Sequence, residues 1–308
     1  MPGYLALFMQ NVLDRLPDRA RVAVIRLRSL GDCVLSTPAL DILKSARPDL
    51  RIGVVVEDRF APVFEGNNAV EQILPPRIST LRRWDPALSL NLHGGSRSAA
   101  LTAASGASLR AGFAHFRFTQ AYTIRIPRAQ EVLGVDRVVH TAEHLAAAVF
   151  YLGAAPMDIP RARLSAPSPT RASRPYAVLH PVASQPDKTW PAERFLEVAA
   201  HLDMDPVFIA GPGEDLGPFH QYRTVAGAPL SEIKNLLAGA SLFVGNDSGP
   251  AHMAAAFGLP VVAIFGSSSV EIWRPWKTSA ETLSSPSGIE SVSTAQVIAA
   301  VARLRVHV

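Results

Sequence analysis

Short β-branched runs recur along the chain, each followed by a glycine- or proline-bearing loop and then by a stretch of helical period. Residues 21–27 (RVAVIRL) form the first run; the loop RSLGD follows, and LSTPALDILKSA continues with apolar residues at helical spacing. Residues 52–56 (IGVVV) predict a second strand. Residues 87–92 (ALSLNL) predict a later one that passes through HGGSRS into an Ala-rich helix. Alternation of this kind predicts parallel sheet built from βα units. A helix over 140–152 stops at Gly153, and residues 155–175, dense in Pro, Ser and Arg, read as a linker.

The pattern then restarts. A strand over 176–179 (YAVL) ends at His180, and an amphipathic helix covers 192–202. The strand 206–210 (PVFIA) runs into GPGED. A helix over 230–238 precedes the strand 242–244, which runs into GNDSGPAH and a further helix. The strand 261–265 (VVAIF) leads to GSSS, and a helix with one apolar face spans 294–303. The chain therefore reads as two α/β domains with parallel sheets, 1–165 and 166–308, and shows no fixed-period repeat. In such folds ligands collect at the carboxyl ends of strands and in the cleft between domains.

Composition narrows the class. Of 308 residues 48 % are apolar and 18 % charged, enough hydrophobic material for two cores and too little charge for disorder. A single cysteine, Cys33, excludes a disulfide framework and a multi-cysteine metal site. No run of about 18 uncharged apolar residues predicts a membrane span. Residues 1–21 read as a leading helix rather than a signal peptide, so the expectation is a soluble, cytoplasmic protein. Charge is uneven: 20 Lys+Arg face 14 Asp+Glu up to Leu164, and 10 face 12 beyond it, a net of +6 against −2. The basic first half suits an anionic partner or an anionic membrane surface, or is arginine spread over a solvated face. No basic run interleaved with aromatics occurs, so nucleic acid is not expected.

The candidate chemistry falls in loops after strands. Asp32, in RSLGDC, is placed to act as a general base or to cap the following helix. HPVASQPDKTWP offers the Ser184 hydroxyl and Lys188, one of four lysines among 26 arginines, as partners for phosphate oxygens or as solvated surface groups. In GPGEDLG, Gly213 lets backbone approach a ligand, and Glu214 can accept from ribose hydroxyls. The spacing and the internal proline argue against a nicotinamide fingerprint. GNDSGPAH opens a helix whose free N–H groups make an anion site around Ser248 and Gly249; Asp247 then faces sugar hydroxyls or Lys188, unless Asp247 and Ser248 only cap the helix. His252 either touches phosphate or packs. Asp203, Met204 and Asp205 form a D-x-D at the amino end of a strand, away from these loops, so no metal is expected. No G-x-S-x-G elbow supports hydrolase chemistry.

With these segments in hand, the chain resembles glycosyltransferase family 9, the lipopolysaccharide heptosyltransferases. The carriers are IRLRSLGDCVLSTPAL, PDLRIGVVVEDRFAPVFEGN, NLHGGSRSA, LHPVASQPDKTWPAERF, IAGPGE and LFVGNDSGPAHMAAAFGLPVVAIFG, in that order. The resemblance implies a GT-B fold, two Rossmann-like domains facing across a cleft. It implies an ADP-heptose-type nucleotide-sugar donor in the second domain and an anionic lipid-linked saccharide acceptor on the first, with no cofactor. Position by position, it implies Asp32 as base, Lys188 at the diphosphate, Glu214 at the ribose, and Asp247, Ser248 and Gly249 at the donor sugar and phosphates. Arg97 and Arg28 are the residues expected to touch the acceptor. Two departures lie on that side: Asn91 stands where the family has an acid, and Arg28 where a small hydroxyl residue is common. The implied reaction is an inverting, metal-independent transfer; a nucleotide-sugar epimerase or hydrolase, or a non-catalytic binding module, would share the architecture.

Overall fold

The computed structural model describes residues 11–304 and divides into two compact units, Met1–Arg163 and Leu164–Val308. The expected leading helix falls mostly outside the described residues; within them Leu13–Arg15 makes one 3₁₀ turn.

In the first unit, β1 (Arg21–Ile25), β2 (Arg51–Val55), β3 (Gln72–Leu74), β4 (Leu88–Asn91), β5 (Leu109–Phe113) and β6 (Ile124–Ile126) lie in the order β3-β2-β1-β4-β5-β6. Every neighbouring pair is parallel. Residues 22–25 of β1 and all of β4 are buried, as strands covered on both faces must be; β1 therefore reads as a continuous apolar run, while β4 buries the polar Ser89 and Asn91 as well. Ile25, Val55, Leu74, Leu81 and Trp84 pack one of the clusters beneath the sheet.

The second unit repeats the winding with β7 (Tyr176–His180), β8 (Asp205–Ala210), β9 (Arg223–Ala226), β10 (Leu242–Asn246), β11 (Val261–Ile264) and β12 (Ala280–Leu283), in the order β12-β11-β10-β7-β8-β9. All pairs are again parallel. Its core gathers Trp190, Phe195, Phe208, Phe219, Leu242 and Ile264.

Each sheet thus starts at its centre, winds outward on one side, then returns to start again on the other. The reversal falls between β1 and β4 in the first unit and between β7 and β10 in the second. At such a switch point the loops leave in opposite directions and open a crevice at the carboxyl ends of the strands.

Five strands escape the sequence pattern: β3, β5, β6, β9 and β12. The first helix also begins earlier than the pattern suggests. Leu30–Leu35 is already helical, followed by Thr37–Ala46, so Asp32 is a residue of the first helical turn and not of a loop. Residues 155–175 contain no helix or strand, yet the stretch is tied down. The Arg163 N–H donates to Thr37 Oγ1 at 3.0 Å, and the Thr170 N–H donates to the Asn235 carbonyl at 2.9 Å.

Candidate active site

At the switch point of the first unit, Asp32 is held from two sides. The Arg26 guanidinium forms an ion pair with Oδ1, and the Ser29 hydroxyl donates to Oδ2 at 2.9 Å. Ser29 is the N-cap residue of the helix but makes no side-chain cap bond; its hydroxyl is directed to the carboxylate instead. Arg26 is 7 % exposed. Its Nη1 donates to the Leu92 carbonyl at 2.5 Å, and its Nε is buried without a hydrogen-bond partner. A buried guanidinium beside a carboxylate at a strand's carboxyl end is what the sequence reading missed. Its signal was a charged residue inside the apolar run RVAVIRL. The neighbouring Cys33 is fully buried, and burial pushes its thiol up to about 12.

Arg97 lies in the first turn of the helix Ser96–Ala104 and is exposed; its Nη1 meets Glu57 Oε1 at 3.2 Å. The other Glu57 oxygen takes Arg59 at 3.1 Å, so one carboxylate holds two arginines at the ends of β2 and β4. Arg28 is exposed. His93 is pushed below the usual imidazole range by burial and by the Arg26 charge.

Asn91, the position where an acid was expected, is wholly buried. Its Oδ1 accepts the N–H groups of His93 (2.9 Å) and Gly94 (3.1 Å), while its Nδ2 donates to Thr102 Oγ1 and to the Tyr122 hydroxyl, each at 3.1 Å. The amide supplies both the donor and the acceptor used here, where an ionised carboxylate would only accept. The departure at Asn91 therefore shapes the turn after β4 from beneath.

In the second unit three loops meet. Lys188 ends a 3₁₀ turn, Pro186–Lys188, after β7, and makes no ion pair within 4 Å among the described residues. Asp247 and Ser248 follow β10, and Ser248 is the N-cap of the helix Gly249–Phe257, with Pro250 in its first turn where no N–H is needed. Burial pushes the Asp247 carboxyl above its ordinary value, against the opposing pull of Ser268 and the Lys188 charge. His180, the last residue of β7, shares a hydrogen bond with Ser248 through Nδ1 at 3.0 Å; burial pushes its imidazole down to about 4, so it is neutral at pH 7. Gly266, after β11, closes the group: a Cβ there would lie 1.9 Å from the Asp187 carbonyl oxygen and 2.9 Å from Lys188 Cα.

The remaining predicted residues fall as follows. Ser184 is exposed on the same loop as Lys188. Gly213 has φ +81°, a conformation that favours glycine. Glu214 folds back at the end of β8, where its Oε2 accepts the Gly211 N–H at 2.5 Å. His252 is 4 % exposed, one ring-contact distance (6.2 Å) from Trp273; the structure gives it a packing environment.

A family model described as glycosyltransferase family 9 (heptosyltransferase) matches residues 78–297, well over half the chain. The chain belongs to this family. The matched segment contains the Lys188, Glu214 and Asp247 loops and begins after the Asp32 helix. This family 9 chain is 32 % identical over 115 residues to lipopolysaccharide heptosyltransferase 3 of Escherichia coli; the alignment covers 33 % of the chain and about a third, 34 %, of that relative. Against lipopolysaccharide heptosyltransferase 1 of Escherichia coli K12 it is 24 % identical over 80 % of the chain and 88 % of the relative. The solved structure of E. coli ADP-heptose LPS heptosyltransferase II superposes with a TM-score of 0.77 at 19 % identity, covering 92 % of this chain and 98 % of that one, and shares its fold.

Two features bear on metal. Asp205 opens β8 at the amino end of the sheet and pairs with Arg174 at 3.4 Å, so the D-x-D lies opposite the loops just described. His140 and His144 carry the four-residue spacing of a helical ligand pair, which the expectation of no metal passes over. In the structure His140 Nδ1 accepts the Ala142 N–H as the helix cap, and His144 stacks on Phe113 at 4.1 Å. Among the described residues no three His, Cys, Asp or Glu side chains gather as a metal-binding group. No helix among them is long and apolar enough to cross a membrane.

Proposed function

We propose that this family 9 chain transfers a heptose, or a related sugar, from an ADP-linked donor to a lipopolysaccharide-core-type acceptor, with inversion and without a metal ion. The observation that carries the reading is the convergence of Lys188, Ser248 and the N-terminus of the helix Gly249–Phe257 at one switch point of the second unit. A lysine ammonium and free helix N–H groups are complementary to a diphosphate, and they act most strongly on charge that grows as the sugar leaves. Glu214, at the end of β8, is assigned to the ribose, and Asp247, held partly buried, to the donor sugar hydroxyls.

Asp32 is assigned as the base that takes the acceptor proton. A carboxylate offers about four lone-pair sites, so the bonds from Arg26 and Ser29 fix its position and still leave acceptor capacity. Arg97 and Arg28, with Arg59 added by the Glu57 bridge, are assigned to acidic groups of the acceptor. The relatives named for lipopolysaccharide and ADP-heptose supply the substrate class, and the placement of Asp205 supports a reaction in which Lys188 and the helix neutralise the diphosphate.

The test is turnover of ADP-heptose with and without a lipopolysaccharide-core acceptor, in the presence of excess chelator. Transfer only when acceptor is present, undiminished by chelator, is the expected result. Turnover of donor alone would replace the reading with an epimerase or hydrolase. Inhibition by chelator would remove its metal-free part.

A further inference from the structure

We propose that Asn246 is the positioning residue that sets Lys188 against a diphosphate, an inference that rests on the donor assignment above. Lys188 sits on a loop whose residues 184–187 are exposed and bring little packing of their own. Both ends of that loop are held by one side chain. Asn246 Nδ2 donates to the Pro181 carbonyl at 2.9 Å, and Asn246 Oδ1 accepts the Trp190 N–H at 3.0 Å. The amide is planar and Asn246 is wholly buried, so the separation of the two loop ends is fixed by a rigid group.

The Trp190 side chain has its own anchors, which leaves Asn246 as the group that holds its backbone N–H. Its Nε1 donates to the Val292 carbonyl at 2.8 Å, and its ring meets Phe195 edge-on at 5.0 Å. Lys188 is two residues from this anchor, and the intervening backbone is pinned by Lys188 N–H to Gln185 O (3.1 Å) and Thr189 N–H to Pro186 O (3.0 Å). A shift at Trp190 N is therefore passed on to Lys188.

The brace is reciprocal. Asn246 ends β10 and holds the loop of β7; His180 ends β7 and holds Ser248 on the loop of β10. In the register of these neighbouring strands His180 stands opposite Gly245, one residue from Asn246. The pair ties the cation on one loop to the helix N-terminus on the other, which is what a ligand spanning both requires.

A double-mutant cycle tests the proposal, with ADP as the probe, affinity read by titration calorimetry, and each variant checked by circular dichroism and thermal melting. K188A is expected to weaken ADP binding about tenfold or more, the loss of one charge-assisted bond. N246A should do the same and should reproduce the K188A split between kcat and KM for the sugar donor. The double variant should bind within about twofold of either single one. A merely structural Asn246 lowers the melting temperature and leaves the Lys188 effect intact; multiplied losses in the double variant overturn the proposal. If N246A does not fold, N246D, which keeps the acceptor for Trp190 N–H and loses the donor to Pro181, takes its place in the cycle. If K188A binds ADP as the wild type does, the donor assignment fails and carries the brace with it.

Discussion

Replacing Gly266 by alanine probes the proposed donor site without touching any group assigned to the ligand. The backbone there needs no left-handed conformation, so space alone decides the outcome. The new methyl carbon would stand 1.9 Å from the Asp187 carbonyl oxygen, and contacts shorter than 3.0 Å are essentially never seen at a Cβ, so the two must separate by about 1.1 Å. Residues 261–264 of β11 are buried and hydrogen-bonded between two parallel neighbours, whereas residues 184–187 are exposed, so the Lys188 loop is the part that yields. A displacement of that size stretches an N–H···O contact beyond bonding range. Losing a bond from a charged donor costs about 1.5–3 kcal/mol, a drop in ADP affinity of roughly ten- to a hundredfold. Overpacking adds a destabilisation of about 1–3 kcal/mol, read as a melting temperature lowered by several degrees. Calorimetric titration with ADP and thermal melting measure the two effects on the same protein. A folded G266A variant that binds ADP with wild-type affinity would refute the placement of Lys188 at the phosphates.

Three further outcomes are expected. Asp32→Asn should lower transfer by about 10²–10⁴-fold, the range of a lost general base, while ADP affinity stays within twofold; parallel loss of ADP binding would make Asp32 structural. Arg26→Met leaves the partly exposed Asp32 carboxylate without its buried partner and should cost about 1–3 kcal/mol in urea unfolding, against little change if the pair is solvated in solution. Burial holds His180 at about 4 against an ordinary 6.5, so between those pH values the unfolded chain binds a proton that the folded chain refuses. Stability should therefore fall as pH drops through that window, by up to about 1.4 kcal/mol per pH unit from this residue. His180→Asn should flatten that part of the profile, and an unchanged slope would place the acid sensitivity elsewhere, for example at His144.

The strands that the hydrophobic pattern finds are the covered ones. β1, β7 and β10 are buried almost throughout, so each carries an apolar stretch that the pattern finds, although in β10 that stretch stops at residues 242–244, before Gly245 and Asn246. β9 is mostly exposed and β12 half-exposed along its length, and β3 and β6 are three residues each, too short for any period to register. β5 (LRAGF) contains a glycine whose Cβ would lie 2.6 Å from Tyr122, a packing demand that mimics a turn signal. At the site, local chemistry is legible: a helix opened by GNDSGP, and a lysine in a strand-to-helix loop. Relations between distant segments are not. Asn246 reads as part of the glycine loop, while its amide works 56 and 65 residues away, at Trp190 and Pro181. Arg26 reads as an interruption of a strand because its partners, Asp32 and Leu92, come together only once β1 and β4 are neighbours.

The buried thiol of Cys33 has a practical consequence. It is the sole sulfhydryl in the sequence, it is sealed from solvent, and its thiolate is strongly disfavoured, so maleimides and iodoacetamides should leave the native chain unmarked. A cysteine introduced at exposed Ser184 would then take a fluorophore cleanly, four residues from Lys188. Emission from that dye would report nucleotide arrival in real time, on protein that needs no other cysteine removed.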